Sequence, residues 1–120
     1  MGRAFHAESG MPFSFDQDAV SGLLATMIEA DGATVLMTDR GGIGGVLQPA
    51  YCDPKWVYAV ELFWWARGDG LALLRAFERW AQQAGANEVR MTSLAALPRA
   101  DRLIRRVGYE PAEVSYSKVI

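Results

Sequence analysis

Trp56-Val57-Tyr58-Ala59-Val60-Glu61-Leu62-Phe63-Trp64-Trp65-Ala66 runs straight into Arg67-Gly68-Asp69-Gly70, and from there into Leu71-Ala72-Leu73-Leu74-Arg75-Ala76-Phe77-Glu78-Arg79-Trp80-Ala81-Gln82-Gln83-Ala84. The first part is apolar and aromatic almost without a break, as expected of a strand covered on both faces and placed mid-sheet. The last part sets Leu73, Leu74, Phe77, Ala81 and Ala84 at helical spacing, with Arg75, Glu78, Arg79 and Gln82 outside or flanking that face and Gly85 as the stop. Glu88 to Leu94 then alternates as a strand, so the order strand, helix, strand predicts a parallel crossover.

On the N-terminal side, Thr34 to Thr38 and Ile43 to Gln48 read as an antiparallel hairpin turning at Asp39-Arg40-Gly41-Gly42. Ahead of it, Ser14 and Gln17 resemble a capping box, and Val20, Leu23, Leu24, Met27 and Ile28 recur at helical spacing until Asp31-Gly32. On the C-terminal side, Pro98 opens a short helix carrying Leu103, Ile104 and Val107, Gly108 ends it, and Tyr109 to Ile120 reads as a last extended segment. The fold class is therefore α/β (α+β): one domain over residues 1–120 with a mixed, mostly antiparallel sheet, one parallel strand pair and flanking helices.

Composition narrows the partners. At 51% hydrophobic residues, 120 residues close one core and leave little chain for a second. Twelve basic against 14 acidic residues, a formal charge of -2, argues against nucleic acid or anionic lipid as the partner. The single Cys52 forms no internal disulfide, and the N-terminus shows no leader pattern, so a reducing, cytoplasmic setting is expected. The apolar run from Trp56 to Ala66 is interrupted by Glu61 and falls short of the roughly 20 residues a membrane helix needs. With one histidine, His6, neither a metal site nor a Ser-His-acid triad is expected.

The chemistry is expected where the long strand meets its helix. A helix N-terminus presents N–H groups without helical acceptors and about half a positive charge to an anion. Arg67-Gly68-Asp69-Gly70 sits there, its glycines permitting close approach of the main chain and Arg67 adding a cation; the plain alternative is a tight turn.

Arg67, Gly70 and Ala72 fill the pyrophosphate motif of the GNAT family of acyl-CoA N-acyltransferases, which this chain resembles. The resemblance spans roughly residues 14–120: the strand Glu61 to Trp65, the helix Leu73 to Ala81 and the ending Arg106-Val107-Gly108-Tyr109-Glu110-Pro111 are similar to family counterparts, and small acetyltransferase-like proteins of phages and bacteria are the nearest subset. It implies acetyl-CoA as cosubstrate in a cleft where the two parallel strands splay apart. Gly68, Gly70, Leu71 and Ala72 would meet the pyrophosphate beside Arg67, and the pantetheine arm would pair along Trp64 to Ala66. It implies direct transfer to a primary amine of a small molecule or protein, with a carboxylate as base and an acid for the leaving thiolate.

Glu61, the one carboxylate in the central strand, is the candidate base, with burial beside Phe63 and Trp65 expected to raise its pKa; the alternative is a structural carboxylate that lies at a strand edge or pairs with an arginine. The family's Asn and Tyr of the short helix are Leu97 and Ile104 here, so Tyr109, or else Tyr116, stands as candidate acid, against a plain packing role for each. Two further departures are the short junction between Ala66 and Arg67, and Asp69, a natural N-cap that brings negative charge to the phosphate position. The family's first strand and helix have no full counterpart, which reads as N-terminal truncation. Phe5-His6-Ala7-Glu8-Ser9 stands as a remnant of that helix on the acceptor side, and a missing strand would leave an edge for a homodimer. Arg99, Arg102, Arg105 and Arg106 form a basic face, either solvated or contacting the 3'-phosphate of CoA or an acidic partner. A noncatalytic CoA-binding or protein-interaction module is the competing reading.

Overall fold

A computed structural model describes residues 2–120. Its elements are α1 (Gly2–Ser9), α2 (Gln17–Glu29), β1 (Ala33–Met37), β2 (Gly41–Ala50), β3 (Asp53–Ala66), α3 (Gly70–Gln83), β4 (Glu88–Arg90) and α4 (Pro98–Arg106). The four strands lie in sequence order, with β1/β2 and β2/β3 antiparallel and β3/β4 parallel, so the expected mixed sheet is present. No described helix is long and apolar enough to cross a membrane.

The amphipathic stripe of α3 packs on one face of the sheet. Leu73, Phe77 and Ala81 meet Ile43 and Ala59 in the buried core, with Trp64, Ala66 and Val89 packed around them. The helix stops where Gly85, at φ +85°, lets the Ala86 N–H reach the Ala81 carbonyl at 3.0 Å. α4 ends the same way: Gly108 has φ +99° and the Tyr109 N–H donates to the Ile104 carbonyl at 3.3 Å.

Four local readings change. The α2 cap is Asp16, whose Oδ1 accepts from the Ala19 N–H at 2.9 Å, so Ser14 and Gln17 form no capping box. Val20, Leu24 and Met27 turn inward on α2, while Leu23 and Ile28 remain largely exposed. Gly41 and Gly42 belong to β2 rather than to the turn: Gly42 pairs with Met37 of β1, and both pair with Trp65 and Ala66 of β3, where a Cβ at Gly41 would overlap the Trp65 carbonyl oxygen. Residues 109–120 pair with no strand and are exposed except at Tyr109, so the last extended segment adds nothing to the sheet. Phe5 to Ser9 is helical as expected, within α1.

β3 is central, as its apolar run implies, but it is not regular. Gly44 pairs with Phe63 and Gly45 with Glu61, leaving Leu62 over as a bulge. The slip reverses the alternation of β3. Ala59 and Trp64, which a regular strand would set on opposite faces, both pack on the α3 core. Glu61 pairs with Gly45, whose missing Cβ would point at Phe77 of α3, whereas Phe63 lies against Gly44 on the opposite face. Glu61 is buried, but not beside Phe63 and Trp65.

Candidate active site

β4 is shorter than its sequence implies. Pairing with β3 ends at Val60 and Arg90, and residues 91–94 leave the sheet. From Glu61 to Ala66 one edge of β3 stays paired with β2, and the edge that faced β4 has no strand partner. The two parallel strands therefore part just before Glu61.

Glu61 sits in the fork. It is 6% exposed, and its Oε2 accepts from the Thr92 N–H at 3.0 Å and the Thr92 hydroxyl at 2.6 Å. Burial pushes the carboxyl pKa above its usual value, and the two Thr92 hydrogen bonds, which favour the ionised form, partly offset that. The partner is a threonine rather than an arginine, so no fixed cation holds the group ionised. Glu61 opens into a cavity of about 170 Å³ that it shares with Phe5, Met11, Trp64, Thr92 and Leu97. A buried carboxyl with a raised pKa, facing a cavity, is suited in chemistry to take a proton from a group bound beside it.

Beyond Trp64 the chain reaches the Gly-rich turn. Gly68 takes φ +95°, and the Arg67 N–H is held by the Arg40 carbonyl at 3.0 Å. The first helical bond of α3 is Leu73 N–H to the Asp69 carbonyl, so the N–H groups of Gly70, Leu71 and Ala72 have no helical acceptor. Asp69 stands at the N-cap position without capping: its side chain turns to the Thr38 hydroxyl instead. The helix end is thus left open to an anion, although Asp69 keeps negative charge nearby and its buried Oδ1 has no hydrogen-bond partner.

Two arginines flank this turn. Arg67 is exposed and lies over the Trp65 ring at 5.2 Å. Arg40, in the β1–β2 turn, brings its guanidinium within 3.0 Å of where a Cβ on Gly68 would sit. Gly68 thus provides both the positive φ and the room for that guanidinium. Trp64 closes the near side, its indole N–H donating to the Gly70 carbonyl at 3.2 Å. Gly70 itself has negative φ and only ordinary van der Waals neighbours, so its place in the motif is not explained by packing.

The remaining candidates fall elsewhere. The structure does not bring Tyr109 to Glu61: Tyr109 is half-buried against α3, where burial and then the Glu78 carboxylate push its phenol pKa up, making it a poorer acid. Tyr116 is 88% exposed in the C-terminal segment. Ile104 is buried, and Leu97 lines the Glu61 cavity without a proton to give. His6 shares a hydrogen bond of 2.6 Å with the Phe13 carbonyl and sits between Phe13 and Phe15. Arg105 pairs with Asp101 at 3.0 Å, and Arg99, Arg102 and Arg106 are exposed on α4. Thr92 and Arg40 were not legible as site residues. Thr92 lies 31 positions from Glu61 with no motif around it, and Arg40 looks like any hairpin-turn residue.

No protein-family model and no curated protein matches the sequence. Solved structures do. The aminoglycoside N-acetyltransferase AAC(6')-Iy, solved with a bisubstrate analogue of CoA and acetylneamine, superposes with TM-score 0.70 at 19% identity, over 99% of this chain and 88% of that one. A ribosomal-protein-alanine N-acetyltransferase from Brucella melitensis matches with TM-score 0.67 at 12% identity, over 98% and 87%. A transcriptional regulator from Bacillus halodurans matches with TM-score 0.72 at 10% identity, over 98% and 91%. These similarities extend over nearly the whole chain, and together with the mixed sheet and its flanking helices they identify the architecture: this chain has the fold of the GNAT acetyltransferases.

Proposed function

We propose that the protein is an acyl-CoA-dependent N-acyltransferase that moves an acetyl group from acetyl-CoA to a primary amine. The observation that carries this reading is the fork itself: a buried carboxyl without a cationic partner, Glu61, lies beside a strand edge left free from Glu61 to Ala66. That edge leads to the uncapped N–H groups of Gly70, Leu71 and Ala72.

The residues present fit the cosubstrate. Gly68, Gly70, Leu71 and Ala72 offer main-chain N–H groups to a pyrophosphate, Arg67 and Arg40 add cations, and the free edge at Trp64 and Ala66 offers strand-like pairing to the pantetheine amides. Bound acetyl-CoA supplies a thioester carbonyl, which an amine converts to an amide as the C–S bond breaks. The chain's own part begins at Glu61. As carboxylate it takes the proton of the incoming ammonium, directly or through one water, and leaves the nitrogen lone pair free to attack. Thr92 holds that carboxylate with two donors, and the cavity wall of Phe5, Met11 and Trp64 keeps bulk water from it. After attack the nitrogen sheds a second proton to solvent, and because no tyrosine lines the Glu61 cavity among the described residues, the leaving thiolate takes its proton from solvent.

A noncatalytic CoA-binding module is the second reading, favoured by Ile104 standing buried where the family's tyrosine would be. Calorimetric titration with acetyl-CoA, followed by an amine screen scored by CoA release, tests both. Saturable binding with amine-dependent CoA release is expected. Binding without release for any amine selects the module, and no binding at millimolar acetyl-CoA overturns both readings.

A further inference from the structure

A second cavity, larger than the one that holds Glu61, lies nearby. A groove of about 760 Å³ runs between α1, α2 and the sheet face that carries Phe63 and Trp65. That size suits an ordinary small organic ligand. The groove and the Glu61 cavity share Phe5, Met11 and Leu62 as lining residues. Leu62 is the residue left over by the bulge of β3 and is 50% exposed at this junction.

The chemistry of the groove is one-sided. Its walls include Phe13, Phe15, Leu24, Met37, Phe63 and Trp65. Its ionisable groups are engaged with the protein: Arg3 lies over the Phe15 ring at 5.1 Å and donates to Gln17, His6 is held by the Phe13 carbonyl, and Asp16 caps α2. Asp16 is the one carboxylate among the described residues lining the groove. A polyamine or an aminoglycoside carries several ammonium groups, each of which loses water on entry and needs its own anionic or carbonyl partner. A wall of aromatic rings with one committed carboxylate supplies no such set, whereas it fits an apolar body that carries one amine.

We infer that this groove selects the acceptor, and that the acceptor is an arylalkylamine: one primary amine on an aromatic body. The ring occupies the space between Phe63, Trp65 and α2, and the single amino group passes Leu62 to reach Glu61. The inference rests on the acyltransferase reading above and adds the acceptor class to it.

The test has a turnover arm and a binding arm. With wild-type protein and acetyl-CoA, kcat/KM for 4-phenylbutylamine is expected to exceed that for spermidine and for neamine by at least about tenfold, the scale on which apolar pockets discriminate. Leu62→Glu adds a carboxylate at the junction and is expected to shrink that ratio; Leu23→Glu does so on the outer, exposed wall of α2, where folding is not at stake. The binding arm uses 4-phenylbutan-1-ol, which has the body but no amine. NMR is expected to show saturable shifts at the Trp65 indole and the Met37 methyl, reversed by 4-phenylbutylamine.

Preference for spermidine or neamine overturns the acceptor class and leaves the acyltransferase reading standing. Acetyl-CoA failing to bind while the alcohol still occupies the groove overturns that reading and, with it, the acceptor. No saturable binding of the alcohol overturns the inference whatever the turnover. Dimerisation that displaces the alcohol assigns the groove to a second copy and overturns it too.

Discussion

Glu61 on β3 and Thr92, two residues past the end of β4, are joined by two hydrogen bonds to one carboxylate oxygen, 3.0 Å from the main-chain N–H and 2.6 Å from the hydroxyl. This link spans the point where the parallel strands part. It ties the two segments together at the fork and partly offsets the rise in pKa that burial causes in the only buried carboxylate among the described residues.

Glu61→Gln removes the proposed base while keeping an acceptor for Thr92. kcat is expected to fall about 10²–10⁴-fold, the usual contribution of a general base. The wild-type acid limb should titrate above the ordinary glutamate value and vanish in the variant. The stability sign follows from the same shift: the folded state holds the proton at pH values where the unfolded chain has released it, so wild-type stability falls as pH rises from 4.5 through the raised folded pKa. The variant is expected to lack that fall and to be at least as stable at neutral pH, measured by chemical denaturation across pH.

Thr92→Val deletes the 2.6 Å hydroxyl bond and keeps the main-chain donor. Because that bond favours the ionised carboxyl, the acid limb of kcat/KM should move to higher pH. A hydrogen bond to a charged group contributes roughly 1.5–3 kcal/mol, so a lower melting temperature is expected as well. An acid limb that moves down, or stays, overturns the role given to Thr92.

Arg40→Ala and Arg67→Ala are each expected to weaken acetyl-CoA binding by about tenfold, the scale of one charge-assisted hydrogen bond, with a larger effect at low salt. Dephospho-CoA, which keeps the pyrophosphate and lacks the 3'-phosphate, should show the same loss in calorimetry. If Arg40→Ala leaves affinity unchanged at low salt, its position over Gly68 has no part in anion binding.

Two glycines should respond in opposite directions. A Cβ at Gly45 would overlap both the Val60 carbonyl and the Phe77 ring, which is fully buried, so Gly45→Ala is expected to cost more than about 2 kcal/mol. Gly22, inside α2, has open space around it, and Gly22→Ala should stabilise by about 0.5–1 kcal/mol through helix propensity. Thermal melts of both proteins check the pair.

The elements were largely legible because each is written in a local period. Leu73, Phe77 and Ala81 mark a helix face whatever lies opposite, and Gly85 and Gly108 mark helix ends because positive φ favours glycine. Glu61 stood out as a lone carboxylate in an apolar strand, and the Gly-rich turn stood out at a helix start. Three readings failed where a side chain had a choice of partner. Asp69 turned to Thr38 rather than to its helix, Asp16 took the cap expected of Ser14, and Tyr109 packed against α3 beside Glu78.

By itself the sequence determined the order of strands and helices, the parallel crossover after β3 and the placing of a Gly-rich turn ahead of α3, because periodicity, glycine conformation and helix polarity act over a few residues. The tertiary structure alone decided the bulge at Leu62, the early parting of β4, the grip of Thr92 on Glu61 and the approach of Arg40 to Gly68. Each of these depends on how two distant segments settle against a shared core, and burial there is won by whichever pairing leaves the least apolar surface and the fewest polar groups exposed to loss.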